Sequence, residues 1–173
     1  MAEAKNSDPK IITPPDTLSG KVSYGPGGVD VAALERADAE VAGLKRNYLD
    51  WVVEDFDKLQ KIYDRAAATP PVERAPVVHD LFYVAHDMKG QGGSFNYHLV
   101  TQIGNLLCRF IEANEMKAGV VFEANEMEII KLHVDAIRLV ITQRWEGDGG
   151  REGKNLVAGL QAVVAKNAPP MPA

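Results

Sequence analysis

Residues 85–95 read Ala85-His86-Asp87-Met88-Lys89-Gly90-Gln91-Gly92-Gly93-Ser94-Phe95. Taken as helix, His86, Lys89, Gly90 and Gly93 stand at i, i+3, i+4 and i+7 and share one face. Leu81, Ala85, Met88 and Gly92 share another, apolar one. That division turns His86 away from the protein interior. An imidazole is a competent nucleophile near neutral pH, and a phosphoryl group on a ring nitrogen would place a dianion there. Lys89, one turn on, supplies a compact positive charge for it. A glycine inside a helix costs roughly 1 kcal/mol relative to alanine. Two of them on an outward face leave room for another molecule to come close to His86. No second catalytic base and no phosphate-cradling loop accompany this set. The residues therefore suit a carrier that offers a group to a docking partner better than an enzyme with a closed pocket.

Other reactive side chains have plainer readings. Phe82, one turn before His86, falls on the same outward face and reads equally well as a partner contact or as a partly buried packing residue. His79 lies two turns before His86, but no third ligand stands at a familiar metal-binding spacing. Glu-x-x-His motifs of the di-iron bundle type are absent. His98 and His133 read as structural or exposed. The single cysteine, Cys108, lies in the apolar run Leu106-Leu107-Cys108 and reads as a packed side chain.

These residues need helices to position them. Leu34, Ala37, Val41, Leu44, Tyr48, Trp51, Leu59 and Ile62 recur at mostly three- and four-residue steps. Phe56 takes the apolar role beside Asp55. The pattern predicts helix over 30–68, unbroken or joined near Gly43, with Asp30 as N-cap and Thr69-Pro70-Pro71 as its stop. A second helix is expected over 72–93, with Val77, Leu81, Val84, Ala85 and Met88 as apolar positions. A third follows over 97–115, with Leu99, Ile103, Leu106 and Phe110 inward. A fourth over 123–145 carries Met127, Ile130, Val134, Ile137 and Ile141, and a short one covers 152–166. No strand alternation and no internal repeat stand out. Short loops between amphipathic helices predict an all-α fold, an antiparallel up-down four-helix bundle.

The chain has 173 residues, 46% hydrophobic and 25% charged, with a formal net charge of −5. Such a composition fits one globular domain. The acidic balance and the lack of a Lys/Arg run give no reason to expect nucleic acid, and no apolar run is long enough for a membrane span. Residues 1–28, with Pro9, Pro14, Pro15, Pro26 and a Gly-rich junction, read as a disordered tail. The helical body is expected over 29–167, and residues 168–173 form a proline-rich tail. Polar residues at the start give no sign of a leader, so the expected location is the cytoplasm.

The stretch Ala85 to Ser94 resembles the signature of histidine-phosphotransfer domains, an Ala-His-x-hydrophobic-Lys-Gly core followed by small residues. The likeness continues as a helical pattern over roughly 30–145, and the specific match is confined to the signature. Asn96 departs from the glycine that many members carry in the following turn, although Asn tolerates a left-handed backbone. The resemblance implies that His86 is phosphorylated, that Lys89 stabilises the phosphoryl group, and that Gly90 and Gly93, with Phe82, admit a partner. It implies a phosphocarrier without kinase activity, a phosphorelay intermediate in a two-component system. Its partners would be response-regulator receiver domains and a hybrid histidine kinase. No cofactor of its own is expected, the Mg²⁺ coming with the receiver, and a monomer is expected. The alternative is a helical adaptor or inhibitor that docks on a receiver without carrying phosphate. The intact His86–Lys89 pair is a feature such an adaptor would not need.

Overall fold

The computed structural model describes residues 31–116 and 119–167, with the side chains of several residues between 31 and 49 left out of the description. The expectations for residues 1–28, the Asp30 cap and residues 168–173 lie outside the described residues. Five α-helices follow in order: α1 (Val31–Ala68), α2 (Arg74–Ser94), α3 (His98–Glu115), α4 (Ala124–Thr142) and α5 (Gly150–Asn167). A 3-10 turn, Pro71–Glu73, precedes α2. No strand occurs among the described residues, so the all-α expectation stands.

Two compact units divide the chain between Val41 and Ala42. The described part of the first, residues 31–41, is the start of α1. Ala37 is exposed there, outside the inward role expected of it, and the side chains of Leu34 and Val41 are not described. The second unit holds the core. Its share of α1 buries Tyr48, Val52, Phe56 and Leu59. Leu44 and Trp51, expected on this stripe, are exposed, Trp51 to 41%. The inward phase is 48-52-56-59, and Trp51 lies beside it, edge-on to Phe95 with ring centroids 6.3 Å apart.

α1 ends at the prolines. Arg74 gathers the carbonyls left over there: Nε donates to Ala66 O (3.1 Å) and Thr69 O (2.7 Å), and another guanidinium nitrogen donates to Phe122 O (2.9 Å). A cation is favourable beside the negative end of the helix dipole, and the orphan acceptors are satisfied. Arg65 also pairs with Asp80 of α2.

α2 and α3 pack closely against each other. Gly92 adjoins Thr101, Lys89 adjoins Gly104, and His79 reaches Glu115. A step forward along α2 is a step back along α3, so the two run antiparallel. Asn96 makes the turn between them at φ 67°, the left-handed backbone that Asn accepts. Gly147 N–H donates to Asn96 O (2.6 Å), tying the turn to the loop before α5.

α4 opens with a capping box, in which Glu123 and Glu126 satisfy each other's backbone N–H groups. Met127, Ile130, Val134, Ile137 and Ile141 are all buried, as expected. Each such side chain contributes about 1.5–3 kcal/mol on removal from water. The helix ends at Thr142, three residues before the expected Trp145. Arg144 takes a left-handed backbone (φ 51°), and Trp145 N–H donates back to Val140 O (3.0 Å). α5 packs on α3 and α4.

Candidate functional site

α2 sorts its side chains by face. Val78, Leu81, Ala85, Met88 and Gly92 are buried, at helical spacing along one side. His86, Asp87, Gly90 and Gly93 are exposed. The outward orientation expected for His86 is therefore the one it has.

The buried side is fitted against α3 by two glycines. A Cβ at Gly92 would lie 2.8 Å from Thr101 Oγ1 and 2.9 Å from Tyr97 O. A Cβ at Gly104 would lie 3.1 Å from Lys89 Cβ and 3.2 Å from Ala85 O. The helices thus meet closely along the side of α2 that carries Ala85, Lys89 and Gly92. Thr101 Oγ1 adds a hydrogen bond to Lys89 O (2.9 Å) across the same seam. On the outward side, a Cβ at Gly90 would meet nothing within 4 Å, and one at Gly93 only Thr101 Oγ1 at 3.6 Å.

Lys89 is half-buried, with its stem over Gly104. No hydrogen bond or ion pair joins it to His86 among the described residues. Its charge is felt by Cys108 of α3. Burial pushes that thiol up to about 11, with Lys89 pulling the other way and Glu112 adding to the rise. Cys108 is thus a packed, protonated side chain, as expected.

Phe82 is half-buried and packs against the core. Its ring also meets His86, centroids 5.8 Å apart at 33°. It also stacks on His79 at 5.8 Å and 16°. His79 is engaged at both nitrogens. Nδ1–H donates to Glu115 Oε1 (2.8 Å), and Nε2 lies 3.2 Å from the Tyr83 hydroxyl. In the neutral ring, Nε2 therefore accepts from that hydroxyl. By contrast, no hydrogen bond or ion pair engages the His86 imidazole among the described residues.

No family model matches the chain, and no curated protein or solved structure gives a significant match.

The remaining histidines differ in kind. His98 is exposed at the start of α3. His133 is fully buried in α4, its Nδ1–H donating to Ile129 O (2.8 Å) while Nε2 has no partner. Burial holds its imidazole below the ordinary range, with the Ile129 hydrogen bond acting the other way. Beside His79, a shallow cleft of about 450 Å³ is lined by Ala75, Pro76, His79, Asp80, Glu115 and Val120. Among the described residues, no group of three or more His, Cys, Asp and Glu side chains is placed to hold a metal ion. None of the helices among them is long and apolar enough to cross a membrane.

Glu115, Tyr83 and Gly104 were not candidates on the sequence. Glu115 lies 36 residues from His79, and no local pattern links them. Gly104 sits within an apolar helical stripe, where only its approach to Lys89 and Ala85 gives it meaning.

Proposed function

We propose that this chain is a histidine-phosphotransfer carrier of a phosphorelay, with His86 as the residue that accepts and donates the phosphoryl group. The observation that carries the reading is the contrast on α2. His86 stands exposed beside an open Gly90, its imidazole without a hydrogen bond or ion pair among the described residues, and the opposite face is closed against α3. A nucleophile meant for another protein's phosphoryl group needs that combination of access and rigid support.

The chemistry follows from the imidazole. Its unprotonated nitrogen attacks the phosphorus of an aspartyl phosphate on a receiver domain. The N–P bond forms as the P–O bond to the carboxylate breaks, and the carboxylate leaves as an anion. The other ring nitrogen keeps its proton. Reversal onto a second receiver's aspartate completes the relay. Lys89 lies one turn away, where its ammonium opposes the negative charge spread over the transferring oxygens. The Mg²⁺ for in-line transfer arrives with the receiver and its acidic residues. Gly90 and Gly93 form the platform on which the receiver lands. The up-down order of a four-helix bundle belongs to the same proposal, as do the monomeric state and the cytoplasmic location.

The test is exchange of label. The full chain is incubated with candidate receivers carrying labelled aspartyl phosphate, then separated and offered to unlabelled receivers. Acid-labile label moving onto this chain and off again supports a carrier. Binding of receivers with no label on the chain would overturn it in favour of a docking adaptor.

A further inference from the structure

An exposed histidine samples several ring orientations, whereas in-line attack accepts a narrow range of them. The structure offers a device that narrows the range. His79, Phe82, Tyr83 and His86 stand at i, i+3, i+4 and i+7, one face of α2. Glu115 reaches across from α3 and takes the Nδ1–H of His79 at 2.8 Å, while the Tyr83 hydroxyl lies 3.2 Å from Nε2. Both ends of the His79 ring are thereby held. Phe82 stacks on that ring at 16° and is half-buried against the core. The same ring meets the His86 ring at 5.8 Å. An anchored ring therefore adjoins a half-buried ring, which in turn adjoins that of His86.

We infer that Phe82 and His79, anchored on Glu115, are positioning residues that hold the His86 ring for phosphoryl transfer; this rests on the reading of His86 as the acceptor. The contacts are aromatic and individually weak. Loss of one should slow transfer about 2- to 10-fold and not abolish it. Phe82 acts here through His86 and not through the receiver, so its replacement should leave receiver affinity alone. That separates the inference from a docking role for the same ring.

The test compares Phe82→Leu, Phe82→Tyr, His79→Ala and Glu115→Ala with the wild-type chain. Two readouts are taken: the single-turnover transfer rate within the receiver complex beside the complex's Kd, and ¹³C relaxation order parameters of the His86 ring in the free protein. Phe82→Leu should lower both the rate and the ring order at unchanged Kd, and Phe82→Tyr should restore both. His79→Ala and Glu115→Ala, at sites outside the core, should produce smaller losses in the same direction. They provide the test even if Phe82→Leu is poorly folded. Unchanged ring order and rate in these variants would overturn the inference, as would a Kd that rises while in-complex transfer stays the same. A wild-type chain that takes no phosphate from any receiver would instead overturn the reading of His86, and the ring-order comparison would still be readable.

Discussion

Gly92 and Gly90 lie two residues apart on α2 and meet opposite surroundings. At Gly92 the space a side chain would need is filled by Thr101 and by the carbonyl of Tyr97. At Gly90 that space is open. The same residue type, with the same cost to an isolated helix, serves close packing on one face and access on the other. Stability is concentrated on the α3-facing side of α2 and the proposed chemistry on the outward side, so substitutions on the two faces should separate cleanly.

The largest expected effect is on the outward face. His86→Gln should abolish phosphoryl acceptance while changing stability by no more than about 0.5 kcal/mol, as expected at an exposed position. Transfer and thermal melting measured on one preparation check both halves. Next comes the seam. Gly92→Ala should destabilise by about 1–3 kcal/mol, because its Cβ would press on backbone that cannot move away cheaply; denaturant unfolding reads this directly. If Gly92→Ala is as stable as wild type, the helices are not in close contact there and the comparison breaks.

Lys89 straddles the two regions, its stem over Gly104 and its charge beyond. Lys89→Met keeps the stem and removes the charge, so transfer should slow by about tenfold or more while the fold and receiver affinity hold. An unchanged rate would leave Lys89 to the seam alone.

His133 extends the comparison to a buried histidine. In the unfolded chain His133 titrates in the ordinary range, near 6.5, whereas burial lowers it in the fold. As pH falls below that range the unfolded state takes up a proton that the folded state refuses. The stability is therefore fully present above about pH 6.5 and declines on acidification, by up to about 1.4 kcal/mol per pH unit. His133→Leu should flatten that decline between about pH 7 and pH 5.5. Melting temperatures across this range decide it.

The smallest effect should be a gain. Gly90→Ala should raise stability by up to about 1 kcal/mol, since the added methyl relieves the helix cost and touches nothing. Gly90→Leu should keep the fold and weaken the receiver complex. Stability and affinity falling together at Gly90 would mean that this face is packed.

Much of this division was legible in the sequence, because a 3.6-residue period sorts the α2 residues by face without knowledge of any neighbour. The inward residues of α4 were legible for the same reason. The place of Trp51 is ambiguous in the sequence, because 48-51-55 and 48-52-56 are both helical spacings, and which phase faces inward depends on what packs there. Phe56 and Val52 take that place, and Trp51 turns out toward the edge of Phe95. The seam was not legible. Gly104 matters through Lys89 and Ala85, fifteen and nineteen residues upstream. The His79–Glu115 tie exists only once α2 and α3 are folded against each other. The end of α4 was also missed, since Arg144 takes a left-handed turn there without a glycine to announce it.

His86 is the proposed carrier of the phosphoryl group. The most direct test of that role is to load the full chain from a phosphorylated receiver and locate the phosphate by mass spectrometry at neutral pH, where an N–P bond survives handling. A single phosphoryl group on His86, with none on His79, His98 or His133, is the expected result. Phosphate on His98 or His79 with His86 unmodified, or a stable receiver complex in which the chain stays unmodified, would contradict it.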